Sequence, residues 1–348
     1  MTGCCGLVGS EAVAYFDQRG WRVVGLDNNM RRELFGPRGD TSQVRSWLER
    51  STRRFVLVEC DVRDPRGVEQ VFTDHKPSAI IHCAAQPSHD WARQNPLEDF
   101  SLNALATLNL LEAARHHARD APFIFLSTNK VYGDNPNRLR LTELATRYDY
   151  ADPDDYEGVA ETCSIDACLH SLFGVSKASA DLLTQEYGKY FHMPTVCLRA
   201  GCITGPNHAG VELHGFLSYL VTTAVEDREY SIFGYGGKQV RDQLHAHDLA
   251  RAIAELIENP VVGEVFNIGG GRDSNASVLE CIALVEERLG RPLKRRYVEE
   301  PRVGDHVCYI SDTRKFRARF PAWQVRRRVG DIIEELATAS TRDSRVLC

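Results

Sequence analysis

Apolar positions in the first two-thirds of the chain cluster in short β-rich runs: Arg22–Leu26, Phe55–Glu59, Ala79–His82, Phe123–Leu126 and Thr195–Leu198. Between them lie stretches with helical spacing, among them Glu11–Arg19, Leu102–Arg119 and Ser176–Phe191. Strands of about five residues alternating with helices predict a parallel sheet covered on both faces, an α/β doubly wound architecture. The remainder is more mixed. It predicts a helix over Phe216–Glu226, a strand over Glu264–Ile268, a helix over Ser277–Leu289 and a basic segment from Arg291 to Arg296. The long stretch between Asp134 and Phe173 carries Asp149, Asp152, Asp154, Asp155 and Glu157. It reads as a lid or small subdomain, or else as a solvated acidic excursion.

Composition narrows the classes. The chain has 348 residues, 43% of them apolar and 26% charged, with a net charge of −6. Apolar residues recur throughout, which excludes disorder, and no run approaches the ~18 apolar residues of a membrane span. A weakly acidic balance argues against nucleic acid as the main partner. The first ten residues lack the basic and apolar segments of a secretory signal. Eleven cysteines, scattered from Cys4 to Cys348, read as reduced thiols in a cytoplasm.

The chain opens Thr2-Gly3-Cys4-Cys5-Gly6-Leu7-Val8-Gly9-Ser10, running into a helix. Gly3, Gly6 and Gly9 permit a tight turn, and with Leu7 and Val8 they bring backbone N–H groups to a pyrophosphate at a helix N-terminus. The run Val23-Val24-Gly25-Leu26 ends in Asp27, followed by Asn28. An acid there accepts hydrogen bonds from ribose hydroxyls and repels a 2′-phosphate, which favours NAD; nearby Arg31 and Arg32 keep NADP open. Asp61, with Val62, is expected at the adenine end, or else as a helix-capping acid. The strand that normally precedes such glycines is missing, since only Met1 and Thr2 stand before Gly3. The expectation is a start upstream of Met1 or a clipped chain.

More specific segments follow. They are Phe123-Ile124-Phe125-Leu126-Ser127-Thr128-Asn129-Lys130-Val131-Tyr132-Gly133-Asp134, Phe173-Gly174-Val175-Ser176-Lys177 and Gly237-Lys238-Gln239-Val240-Arg241-Asp242 with His245 and Asp248, then Phe266-Asn267-Ile268-Gly269-Gly270-Gly271. Over about residues 2–315 the chain resembles the extended short-chain dehydrogenase/reductases, the NAD-dependent epimerase/dehydratase family. The Ser127–Asp134 run most resembles its CDP-paratose (CDP-tyvelose) 2-epimerase branch. The resemblance implies a Rossmann domain over 1–200, joined again by 240–270, and a smaller substrate domain over 201–239 and 271–348. It implies a tightly held NAD that takes a hydride from a sugar carbon and returns it to the opposite face.

By position, the resemblance makes Thr128 the hydroxyl on the reacting sugar oxygen and Lys177 the cation at the nicotinamide ribose, lowering the pKa of the acid–base group. Ala84, Ala85, Gln86 and Asn103 match cofactor-lining positions, with Gln86 and Asn129 also toward the substrate. Arg241 and Arg302 match arginines that clamp a diphosphate, a task suited to guanidinium forks. A homodimer through the helices beginning near Asn103 and Ser176 is also implied.

One departure matters. The family's acid–base tyrosine, four residues before the lysine, is Phe173 here, which has no proton to exchange. Replacement bases among nearby residues are His170, Cys168, Lys130, Tyr132 and Cys163. His170, Phe173 and Lys177 align if that segment is helical, a His titrates in the useful range, and a thiol near Lys177 could be partly ionised. Each also has a plain structural reading. Otherwise Phe173 is an engineered change, or the protein is a non-catalytic NAD-binding sensor. Cys202 stands where epimerases acting at C4 often have Asn. The Cys163/Cys168 and Cys197/Cys202 spacings lack a paired ligand module, so no metal is expected. Epimerisation of a nucleotide sugar at C2 through a keto intermediate is the leading expectation. A dehydratase, or an epimerase at another carbon or on a nucleoside, is the alternative.

Overall fold

The computed structural model describes residues 1–207, 215–302 and 304–346, with side chains to residue 340. Four strands lie side by side in the order Glu264–Ile268, Thr195–Ala200, Phe123–Thr128, Ile80–His82; the last three pair in parallel. A second parallel pair, Val23–Leu26 with Phe55–Val58, is joined to them through Thr2, which bridges Leu26 on one side and His82 on the other. The sequence-predicted strands are all present within one or two residues of their expected ends. Met1 and Thr2 fill the gap between the two sets, with Leu26 N–H donating to Met1 O and Thr2 N–H to Ile81 O. Above Met1 the sheet opens into an apolar slot of about 290 Å³ lined by Phe16, Val24, Phe72, Ile80, Ile81 and Leu110, among others.

Contacts divide the chain into two units. The first comprises residues 1–131, 170–200 and 249–266; the second comprises 132–169, 201–248 and 267–348. These differ from the expected boundaries at 132–169, 240–248 and 267–270, and for 240–248 strand pairing is the reason. Val240–His245 pairs with Cys202–Thr204, Asn275–Ser277 and Cys308–Tyr309, all in the second unit. The 134–173 stretch is not an empty loop. It holds an antiparallel hairpin, Leu141–Glu143 with Tyr148–Tyr150, and Val159 bridges Ser311.

In the first unit a core of Val68, Phe72, Ile80, Leu110, Leu111, Phe123 and Met193 lies under the Pro65–His75, Ala106–His117 and Leu172–Phe191 helices. Helix ends are set locally. Asp64 caps the first of these, which has Pro at its start, and Ser171 caps the third through Gly174 N–H. The second unit has its own core of Leu217, Leu220, Tyr230, Ile232, Ile282 and Ile332.

Candidate active site

The glycine loop is shaped by contacts no side chain could survive. A Cβ at Gly3 would sit 2.8 Å from Ala84 N, and Gly3 has φ +63°; a Cβ at Gly9 would sit 2.1 Å from Gly3 O. The Leu7–Gln18 helix starts at Gly6 without a side-chain cap, so its first N–H groups are those an anion would meet. Asp27 closes the loop: its carboxylate accepts from Cys5 N–H (2.9 Å) and Asn29 N–H (2.8 Å). A loop with no Cβ, an open helix start and a carboxylate at the strand end fit a dinucleotide's pyrophosphate and ribose. Asn28 Oδ1 accepts from Met30 N–H.

Asp61 is engaged within its own turn. Burial opposes it, yet hydrogen bonds from Arg63 hold its carboxyl below the usual range. Arg63 also reaches Glu98 at 2.7 Å, and Val62 beside it is buried. Among the described residues, Cys4, Cys5 and Asp27 bring metal-capable donor atoms within 4.8 Å of one another. The thiol of Cys4 is pushed up by its hydrogen bond with Cys5 and by burial, which works against a thiolate ligand.

Behind the loop runs a buried polar chain. Ala84 N–H donates to Thr2 Oγ1, which lies 2.7 Å from His82 Nδ1; His82 Nε2 lies 3.0 Å from Thr107 Oγ1, and Thr107 donates to Asn103 O. Since Thr107 spends its proton on Asn103, the fully satisfied arrangement puts the His82 proton on Nε2. Burial, then the charge of Lys177, keeps this imidazole neutral, well below its ordinary pKa.

Asn103 sits in a π-helical turn, Ser101–Leu105, a distortion that recurs at functional sites. Its amide donates to Gln86 O, Asp99 Oδ1 and Ser176 Oγ, and its Oδ1 accepts from Gln86 N–H. Gln86 is fully buried, its own amide spent on Ser88 O and Asp99. It therefore stands inside the framework and not at a surface a substrate could touch. Ala85 is exposed and Ala84 half-buried.

Lys177 is 3% exposed. Its Nζ donates to Leu126 O at 2.7 Å and lies 4.1 Å from the Phe125 ring centroid. Burial lowers the ammonium to about 8, against the pull of Asp181. Asp181 is itself held by Arg199 (2.8 Å) and by Ser127 Oγ, a buried trio that motif reading passed over. Thr128, at the end of the same strand as Leu126, is half-exposed; its Oγ1 accepts from Lys130 N–H and lies 3.3 Å from Asn129 Oδ1. Asn129 is buried.

The segment from His170 to Lys177 is helical from Leu172, so Phe173 and Lys177 share a face, while His170 precedes the helix. His170 Nε2 is 2.7 Å from Val131 O, a backbone tether. Cys168 lies beneath Gly133, and burial, then Asp134, pushes its thiol up, so the sequence-based idea of a partly ionised thiol finds no electrostatic support. Cys163 Sγ approaches Ser164 O. In the second unit, Tyr132 is fully buried and its hydroxyl donates to Asn267 Oδ1. The motif-based candidates missed His89: its ring packs edge-on against Phe173 at 5.1 Å between centroids, with Nδ1 2.6 Å from Ser171 Oγ.

Arg241 and Arg302 line one cavity of the second unit, about 70 Å³, with Ser231, Phe233, Gln239 and Asp305. Arg241 pairs with Asp305 at 3.1 Å, and the Arg302 guanidinium lies 4.4 Å from the Phe233 ring centroid. No described helix is long and apolar enough to cross a membrane.

Comparison with known proteins agrees with this geometry. The chain is 32% identical to CDP-paratose 2-epimerase of Salmonella typhi over 324 residues, 90% of this chain and 91% of that one. It is 27% identical to dTDP-glucose 4,6-dehydratase 1 of Escherichia coli, over 90% of this chain and 81% of the relative. A tyrosine-to-phenylalanine variant of UDP-glucuronic acid 4-epimerase from Bacillus cereus, crystallised with UDP-4-deoxy-4-fluoro-glucuronic acid and NAD, superposes with a TM-score of 0.78 at 25% identity, covering 98% of both chains. NAD is the cofactor of this fold and family. With residues 1–269 matching its pattern, the chain belongs to the NAD dependent epimerase/dehydratase family.

Proposed function

We propose that the protein is an epimerase of a nucleotide sugar, acting at C2 through a transient ketone. The observation that carries this reading is Lys177. It is a buried ammonium fixed to Leu126 O in the same unit as the glycine loop, beside the strand that ends in Thr128. The match to a 2-epimerase over 90% of the chain supports the choice of carbon. NAD supplies a hydride acceptor that later gives the same hydride back.

The chain's own residues do the rest. Gly3, Gly6, Gly9 and the open helix start hold the pyrophosphate, and Asp27 holds the adenosine ribose. Lys177 binds the nicotinamide ribose and supplies positive charge that favours loss of the sugar hydroxyl proton. Thr128 orients the reacting oxygen. Arg241 and Arg302 hold the diphosphate of the sugar nucleotide, Arg241 exchanging its bond to Asp305 for phosphate oxygens.

We assign a homodimer to the exposed apolar face formed by Leu97, Phe100 and Leu105 on one side and Leu172, Val175 and Leu182 on the other, since a monomer rarely leaves so many large apolar side chains in water. A dehydratase begins with the same oxidation, and the dTDP-glucose 4,6-dehydratase relatives favour it as the second reading. Turnover of CDP-paratose in D2O separates the two. A 2-epimerase returns the original hydrogen and leaves C2 unlabelled. Deuterium incorporation next to the ketone overturns the epimerase reading in favour of elimination.

A further inference from the structure

We propose that Asp181, gripped by Arg199, is a positioning residue that keeps Lys177 charged and fixes the strand end carrying Thr128. The inference rests on the epimerase reading and deepens it. That reading needs a cation beside the sugar hydroxyl and a Thr128 held still.

Lys177 and Asp181 stand one turn apart on the Leu172–Phe191 helix. The first donates to Leu126 O at 2.7 Å, and the second accepts from Ser127 Oγ at 2.5 Å. Two successive residues of the Phe123–Thr128 strand are thus tied to two successive turns of the helix, immediately before Thr128. The neighbouring strand closes the clamp. Arg199 pairs in register with Ser127, and its Nε and Nη2 donate to the two Asp181 oxygens at 3.1 and 2.8 Å. Gln185 Nε2, one turn further along the helix, donates to Asp181 Oδ1 at 2.7 Å. Asp181 and Arg199 are both buried. A buried ion pair is weak evidence for stability, because desolvation offsets its attraction; what this one sets is the field at Lys177.

The groups that face Lys177 come from four elements. They are Asp181 on its own helix, Asp99 from the Pro96–Phe100 helix, His82 and Cys83 at the end of the Ile80–His82 strand, and Cys197 on the Thr195–Ala200 strand. His82 is neutral. Burial pushes the Cys83 thiol up to about 12, the Cys197 thiol well above its usual range, and the Asp99 carboxyl up as well. Asp181 therefore pulls hardest against the burial of the ammonium, and the hydrogen bonds from Ser127, Arg199 and Gln185 fix where that pull acts. Asp181 touches neither cofactor nor sugar; it acts through Lys177 and through the strand.

The test follows isotope-labelled lysine side chains by NMR through a pH titration of the NAD-loaded protein, the Lys177 signal being the one lost in Lys177→Met. The wild-type midpoint is expected near 8. Asp181→Asn keeps the shape and removes the charge, so Lys177 should hold its proton about tenfold or more weakly, with partial return in Asp181→Glu. Bound NAD and melting temperature report folding. If Asp181→Asn does not fold, the double variant Asp181→Asn with Arg199→Met, which removes both buried charges, takes its place, and the midpoint moves less but in the same direction. Turnover of CDP-paratose against pH is the second readout. Its alkaline limb should move to lower pH with the Lys177 midpoint, whereas a merely structural residue would lower the rate equally at every pH. An unmoved midpoint in a folded variant overturns the Asp181 assignment and leaves the epimerase reading standing. A displaced midpoint beside an unmoved limb overturns the role of Asp181 in turnover. A wild type silent on CDP-paratose, with the midpoint displaced as expected, overturns the epimerase reading and leaves the hold of Asp181 on Lys177 standing.

Discussion

The two ends of the first unit's site are built by opposite means. At the glycine loop, backbone and missing Cβ atoms make the surface: Gly3 against Ala84, Gly9 against Gly3, an uncapped helix start. At Phe173, side chains make it: Lys177 on Leu126 O, His89 on Ser171, and Asn103 tying Gln86 to Ser176. Shape governs the first end and charge and proton inventory govern the second. The same kind of substitution should therefore do different damage at each.

Lys177→Met should break the second end most completely. Turnover should fall by about two to four orders of magnitude in a steady-state assay, while the protein loses no stability, because an apolar chain replaces a buried ammonium. The pH dependence has a definite sign. Burial puts the folded-state value near 8, below the ordinary 10.5, so the folded protein gives up this proton before the unfolded one does. The cost of burying the charge is present in full below about 8 and fades as pH rises toward 10.5. The melting temperature of wild type should accordingly gain on that of Lys177→Met across this window. A constant difference would mean that the ammonium is not desolvated.

At the loop, Gly9→Ala adds one methyl and no chemistry, yet it collides with Gly3 O. Overpacking of this kind costs about 1–3 kcal/mol. Calorimetry should show the loss together with reduced NAD content, and normal NAD retention would refute the claim that shape rules this end. The smallest effect concerns the slot above Met1. Appending four or five β-branched residues before Met1 should bury apolar side chains against Ile80, Phe72 and Leu110 and replace the buried terminal ammonium, whose pKa burial lowers, with a neutral amide. Burial of about 1.5–3 kcal/mol per side chain, offset by about 1–2 kcal/mol of ordering per residue, leaves a rise of only a few degrees in melting temperature.

This contrast also explains what the sequence disclosed. Glycine spacing and a terminal Asp27 are legible because few residues satisfy such close approach, and the β-rich runs located the strands to within one or two residues. Phe173 was legible as an absence. His89 was not, because nothing in its spacing distinguishes it from a surface histidine; its place is set by Ser171 and Phe173, more than eighty residues away in the chain. Gln86 misled for the same reason: position placed it near the cofactor, but only the fold reveals that its amide faces Asp99. The boundary near 132 was hidden because strand pairing, and not local composition, assigns Tyr132–Leu169 to the second unit.

The π-helical turn at Ser101–Leu105 has a consequence for tolerance to length change. Removing a single residue there would let the backbone relax into an ordinary α-turn, because the π-turn already holds one residue more than an α-turn needs, and the residues downstream would keep their facing about the helix axis. Thr107 would stay on His82, and Leu110 and Leu111 in the core, so the damage would fall on Asn103 and its bonds to Gln86 and Ser176. A one-codon deletion in this turn is thus expected to be tolerated far better than one inside the Ala106–His117 helix, where everything downstream would swing by about 100°.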